Sequence, residues 1–322
     1  MGKDNILHED ELLRIKTLID SANDIAIISH RNPDGDTIGC NLALRYYLKS
    51  IGKNVVSICA DKMKDYYLNF EEANLFVSDA DFLQFDLIIS VDISSSHMLG
   101  FDDLEVDLSI DHHISNTKYA KYNFVAGDAC STSFLVYQIF KYFSWPITKK
   151  TATALLLGLY FDTGSFMHSN TDFETLHVAG ELTKLGADKM KIVRILFRTM
   201  TLPQIKLWGR ILEKVKMTEN GVVVSVVTIE DVKQCGAKIS EVDRVIDFLN
   251  MTEGGKLCVL LTEDDNGIIK GSLRTKNDEI ETAYSLDLIK ASSITTSRQD
   301  SIIAPARIES SQLISETGIS FV

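Results

Sequence analysis

The chain has 322 residues, enough for two domains with separate cores, and its 45% hydrophobic and 24% charged content is that of a globular protein. No run approaches the roughly 18–20 apolar residues that cross a bilayer, which excludes a membrane-spanning helix. Forty-five acids against 33 bases give a net charge of −12 with no basic run, which excludes a counterion-releasing grip on long duplex nucleic acid. The N-terminal MGKDNILHEDELL carries acids where a signal peptide has a basic and then an apolar region, so the expected location is cytoplasmic. Five cysteines stand singly, with no CxxC pair, and read as reduced core residues rather than a disulfide framework or thiolate zinc site.

Along the first half, apolar runs alternate with helical patterns, the mark of βα units around a mostly parallel sheet. Asp24 to Ser29 reads as a buried strand. After a Pro-Gly loop, Thr37 to Ser50 reads as a helix stopped at Gly52. Strands are expected over Asn54 to Ala60, Asp86 to Val91, Val106 to Ile110 and, more weakly patterned, Tyr122 to Val125; helices over Ser131 to Phe143 and Thr151 to Tyr160. A helical stretch around Lys189 to Lys216 contains the expected linker. Beyond it, Gly221 to Thr228 is a Val-rich strand behind an Asn-Gly turn, Ser240 to Asn250 a helix, and Lys256 to Thr262 with Ile268 to Thr275 a hairpin across Asp264 to Gly267. The fold class is therefore α/β: a mostly parallel-sheet domain over 1–188, a helical linker over 189–212, and a smaller α+β domain over 213–322. The segment from about Ala291 follows no clean period.

Acids and histidines recur in four short segments: His30-Arg31-Asn32-Pro33-Asp34-Gly35-Asp36, Val91-Asp92, Asp111-His112-His113 and Asp162-Thr163-Gly164. The first three directly follow expected strands. In an open α/β sheet that places them in the crevice at the carboxyl ends of the strands, where ligands bind. Singly, each has an ordinary reading: a polar Pro-Gly loop, a helix cap, surface histidines, a helix-ending turn. Together, Asp34, Asp36, Asp92 and Asp162 in one crevice repel one another unless protons or cations neutralise them. The set holds too many ligands for one ion but suits two ions ~3.5–4 Å apart that share a bridging carboxylate. His30 and His112 favour a transition metal: Mn²⁺ stands first, with Mg²⁺ or Co²⁺ as alternatives.

At these residues the chain resembles the DHH phosphoesterases that carry a DHH-associated second domain, in the oligoribonuclease/pAp phosphatase (NrnA-type) branch. The similar motifs are HRNPDGDTIG, SVDISSSHMLG, IDHH and YFDTGSF, in family order, and the resemblance runs from about Ile25 to Lys276. It implies one metal held by His30, Asp34 and Asp92, and another by Asp36, Asp92, His112 and Asp162, with Asp92 bridging. It further implies that His113 contacts the scissile phosphate or stabilises the leaving group, with Asp111 orienting the histidines. In such proteins an SLR strand of the second domain clamps the nucleotide; here Ser272 and Arg274 carry that expectation, the guanidinium fork suiting a phosphate. Met167 stands where many relatives have Arg, and His168 is the candidate to replace it. The glycine-rich GGGH segment that follows the SLR strand in relatives has no counterpart, since residues 277–322 contain only Gly318 and no histidine.

The implied activity is hydrolysis of very short RNA (3′ to 5′), of the 3′-phosphate of pAp, or of linear dinucleotides, with a homodimer as an option. The alternatives are a nucleotide-binding regulator of the same fold with impaired turnover, and an inorganic pyrophosphatase-like hydrolase.

Overall fold

The computed structural model describes residues 8–197, 200–242, 244–264, 267, 269–275 and 301–302. The chain divides into two compact units, Met1–Thr199 and Met200–Val322.

The first unit opens with helix α1 (Glu9–Ser21), which buries Leu12, Ile15 and Ile19 at helical spacing. The strands are β1 (Asp24–Ser29), β2 (Asn54–Ile58), β3 (Leu87–Val91), β4 (Leu108–Asp111) and β5 (Tyr122–Val125). They form one sheet in the order β2-β1-β3-β4-β5, with every pair parallel. β1, β3 and β4 are buried almost throughout, as parallel strands covered on both faces must be. The chain passes from β1 to β2 on one side and then returns to β3 on the other. The direction of strand order therefore reverses at β1/β3, and such a switch opens a crevice at the carboxyl ends of those two strands.

Helix α2 (Gly35–Ser50) is buried on nearly every face, because it lies between the sheet and the helices α3 (Thr132–Tyr142) and α4 (Lys149–Asp162). Gly39 and Gly158 allow α2 and α4 to come together: a Cβ on Gly39 would lie 2.4 Å from the Ala154 carbonyl oxygen, and one on Gly158 2.2 Å from Asp36 Oδ1. α5 (Phe173–Lys184) and α6 (Lys189–Phe197) complete the unit. Its main core joins α1 through α6 to one sheet face, and a second cluster around Ala26, Ile28, Ile58, Ile88 and Ile93 covers the other. Neither α1 nor α5 is among the elements expected from the sequence.

The second unit begins with α7 (Leu202–Glu213), which presents Leu207, Trp208 and Ile211 to its own core. The stretch read as a linker, 189–212, thus holds one helix with residues in each core. β6 (Lys216–Met217) and β7 (Val222–Val227) pair antiparallel across the Asn-Gly turn. α8 (Ile229–Cys235) is closed by a Thr228–Asp231 capping box, and α9 (Val245–Leu249) follows. β8 (Leu257–Glu263), β9 (Ile269–Thr275) and β10 (Ser301–Ile302) complete a mixed sheet in the order β10-β9-β8-β7-β6, in which only β7 and β8 run parallel. The helix expected over 240–250 is interrupted: Ile239–Val242 is a 3₁₀ turn, and Arg244 adopts a left-handed backbone (φ 71°) before α9 starts. The atypical segment from about 277 lies outside the described residues, save for Ser301 and Ile302. Among the described residues no helix is long and apolar enough to cross a membrane.

Candidate metal centre

His30 follows β1, and Asp34 caps α2, accepting from the Asp36 and Thr37 amides at 2.9 and 3.2 Å. Asp92 follows β3, and Asp111 closes β4 with His112 and His113 next to it. Asp162 arrives differently from the others, as the last residue of a helix rather than the residue after a strand; α4 carries it to the crevice by packing along α2. The four segments converge.

Asp92 stands at the middle. Its Oδ2 lies 3.7 Å from His30 Nε2, which is in turn 3.6 Å from Asp34 Oδ2. Its Oδ1 lies 3.7 Å from His112 Nε2, which is 3.2 Å from Asp162 Oδ2. Potential ligand atoms of His30, Asp34 and Asp92 fall within 4.8 Å of one another, as do those of Asp36, Asp92, His112 and Asp162 and those of Asp92, His112 and His113. Asp92 belongs to all three groups.

Hydrogen bonds set which ring nitrogen is presented. His30 Nδ1 faces the Arg31 carbonyl oxygen at 2.6 Å and His112 Nδ1 that of Ala129 at 3.2 Å. A carbonyl only accepts, so each Nδ1 carries the hydrogen and each Nε2 turns to the carboxylates. His112 Nε2 and Asp162 Oδ2 are both buried without a hydrogen-bond partner. Two buried polar atoms 3.2 Å apart that lack a hydrogen-bond partner suit a shared cation, so the donor set fits divalent ions. His113 differs: its Nδ1 lies 2.7 Å from Asp111 Oδ1, and its side chain is more open than those of His30 and His112.

The electrostatics of the metal-free cluster follow from burial and like charge. Burial, then Asp36 and Asp34, push the Asp92 carboxyl up to about 7. Burial, then Asp36 and Asp92, hold Asp162 well above the ordinary carboxylate range. Burial opposes charging of His30, but Asp34 and Asp92 outweigh it and raise the imidazole to about 9. His113 also reaches about 9, because its bond to Asp111 and the charge of Asp92 overcome burial. His112 is raised by Asp92 and Asp36 against burial. Asp34 and Asp111 move down despite burial, each paired with a histidine. The cluster thus holds protons where the donor set would suit cations.

Asp111 is fully buried and orients His113 directly, but it touches His112 only through the backbone amide, at 2.9 Å; the His112 ring is set by the Ala129 carbonyl. His168 is exposed, with Nδ1 3.1 Å from the Asp162 carbonyl oxygen, so it lies beside the end of α4. Ser272 and Arg274 lie on β9 of the second unit, where Arg274 Nε is 3.5 Å from Asp247 Oδ1 and its Nη1 donates to the Leu273 carbonyl.

Several contributors escape the sequence reading. The Thr132 and Ser133 amides donate to the two oxygens of Asp36, at 2.6 and 2.9 Å. Asn116 donates to Asp111 Oδ2 at 2.6 Å, and Asn170 bridges the carbonyls of Cys130 and Asp162. A signal existed for the amides alone: Ser131 is an expected helix start, and the first amides of a helix lack intrahelical acceptors.

The sequence profile described as DHH family, N-terminal domain, matches residues 24–159. The Bifunctional oligoribonuclease and PAP phosphatase NrnA of Bacillus subtilis is 26% identical over 269 residues, covering 80% of this chain and 82% of the relative. The protein of the same name from Thermus thermophilus is 28% identical over 256 residues, covering 78% and 76%. In fold, the chain is similar to the crystal structure of an exopolyphosphatase-related protein from Bacteroides fragilis, with a TM-score of 0.86 at 20% identity over 97% of this chain and 95% of that one. The matched profile, the two relatives and the clustered motif residues agree on one assignment: residues 24–159 of this chain match the N-terminal domain of the DHH family.

Proposed function

We propose that the chain is a two-metal phosphoesterase, Mn²⁺ its first-choice cofactor, that hydrolyses very short oligoribonucleotides from the 3′ end, the 3′-phosphate of pAp, or linear dinucleotides. One observation carries the reading: Asp92 lies between two ligand groups, one with His30 and Asp34, the other with Asp36, His112 and Asp162. In this reading each group would hold one ion, and Asp92 would be a ligand common to both. The relatives named as oligoribonucleases and PAP phosphatases support the substrate class, and the net charge of −12 suits a short substrate bound locally over a long duplex.

Bound divalent ions would supply charge neutralisation at a phosphoryl oxygen and a water of lowered pKa. The protein's own groups do the rest. His30 and His112 keep their Nδ1 hydrogens on backbone carbonyls and so present lone pairs at Nε2. His113 has its Nδ1 committed to Asp111, which leaves Nε2 to carry a proton to the departing oxygen. Burial of Asp36, Asp92 and Asp162 excludes bulk water from behind the cluster. On this reading His168, beside Asp162, and the β9 residues Ser272 and Arg274 contact substrate.

The test is a panel of pAp, dinucleotides, longer RNA and pyrophosphate, with Mn²⁺ and with Mg²⁺. Release of phosphate or mononucleotide from pAp or dinucleotides, lost by more than ~100-fold in Asp92→Ala, is expected, since removal even of outer-shell partners costs 10–100-fold. Unchanged turnover in Asp92→Ala refutes the site. Preference for pyrophosphate refutes the substrate class, and binding without turnover favours a regulatory nucleotide binder, for which the absent glycine-rich segment speaks.

A further inference from the structure

Thr132 is fully buried at the first turn of α3, behind the N-cap Ser131. An amide at this position has no acceptor within its own helix. Here it donates to Asp36 Oδ2 at 2.6 Å, while the hydroxyl of the same residue donates to Asp92 Oδ1 at 3.0 Å. Asp36 comes from α2 and Asp92 from the end of β3, so one residue ties together two carboxylates of separate origin. Both donors fall on one side of the cluster. Asp92 Oδ1 is the oxygen nearest His112, at 3.7 Å, whereas Oδ2 is the one nearest His30, and Asp36 belongs only to the group with His112 and Asp162.

Resting on the two-ion reading above, we infer that Thr132 is a positioning residue for one ion position of the pair, that of Asp36, Asp92, His112 and Asp162. The hydroxyl occupies one lone-pair direction of Asp92 Oδ1 and fixes the carboxylate's rotation, and the remaining directions on that oxygen are left for a cation. The backbone amide does the same for Asp36. The group of His30 and Asp34 receives no hydrogen bond from Thr132 among those described, so its affinity depends on Thr132 only through Asp92 Oδ2.

The substitution Thr132→Val keeps shape and backbone amide and removes only the hydroxyl. Binding of Mn²⁺ to the full chain by isothermal titration calorimetry reads the effect without turnover. The two positions are separated by working in His30→Ala, which spares the Asp162 group, and in Asp162→Ala, which spares the His30 group. Thr132→Val is expected to weaken the ion remaining in His30→Ala by ~10-fold or more, and that in Asp162→Ala by less than about 3-fold; Thr132→Ser is expected to bind as wild type. Should the valine variant be insoluble, Thr132→Ala carries the same test. Wild-type affinity in the hydroxyl-free variant, equal losses in both backgrounds, or failure of serine to restore binding overturns the inference while the two-ion reading stands. A wild-type chain that binds no Mn²⁺ overturns both.

Discussion

Asp92 adopts a left-handed backbone (φ 62°) with its amide donating to the Ile110 carbonyl oxygen at 2.9 Å, a conformation that asparagine and aspartate adopt at lower cost than alanine. Asp92→Asn is therefore the variant that separates charge from backbone, and Asp92→Ala is expected to cost ~1 kcal/mol more stability than Asp92→Asn. The same residue sets a pH dependence. In the metal-free fold Asp92 rises from 3.8 to about 7 and His30 from 6.5 to about 9. Both groups hold protons more tightly folded than unfolded, so their stabilising contribution is complete below the unfolded values. It drains as pH rises through about 7 and then about 9. In excess chelator, wild-type melting temperature should fall across that window, whereas Asp92→Asn should give a flatter curve, because it has no carboxylate to ionise. Differential scanning fluorimetry from pH 6 to about 9.5 checks this, and parallel curves would contradict it. Added Mn²⁺ should stabilise the wild type more at the alkaline end, where ligands no longer hold protons.

At the scale of elements, the crossing of α2 and α4 brings Asp36 and Asp162 into one crevice, and two glycines allow it. A Cβ on Gly158 would lie 2.0 Å from Ser133 Oγ and 2.2 Å from Asp36 Oδ1, too near for any side chain to yield cheaply. Gly158→Ala should destabilise by ~1–3 kcal/mol and weaken Mn²⁺ binding by displacing Asp36. Gly180, exposed within α5 with no atom within 4 Å of a built Cβ, is the control: Gly180→Ala should stabilise by ~0.5–1 kcal/mol and leave binding alone. Denaturant melts and calorimetry of the two variants check the pair; equal effects would contradict the packing account. The strands were legible because buried parallel strands are continuous apolar runs such as Leu87–Val91, and α2, α3 and α4 were legible to within two residues at each end. The clustered acids and histidines were legible because side-chain identity carries their chemistry. α1 carries Leu12, Ile15 and Ile19 at the right spacing, yet it starts at His8 with no side-chain cap and sits in an acid-rich segment. What holds Asp36 was half legible: Ser131 marks a helix start whose first amides need acceptors, but nothing in the sequence names Asp36 as their partner. The break at Arg244 was hidden, because no glycine or proline marks it.

At the scale of the whole molecule, each of the two units buries its own hydrophobic clusters. All five cysteines are buried thiols outside any disulfide, with Cys40 3.7 Å from Asp36 Oδ1 and its thiol pushed up by burial and by the carboxylates. Ellman's reagent should therefore modify none of them within minutes in the native protein and all five after denaturation; rapid native reaction would contradict the packing of these cores. The charge of −12 argues in the same direction as the site. Its carboxylates are useful in proportion to the cations they hold, and turnover on dinucleotides should exceed that on long RNA and depend weakly on salt. The account as a whole rests on Asp92 being shared. Crystals grown with Mn²⁺ and measured on either side of the manganese absorption edge test that most directly. Two anomalous peaks are predicted, one among His30, Asp34 and Asp92 and one among Asp36, Asp92, His112 and Asp162. A single peak, or peaks away from Asp92, would contradict it.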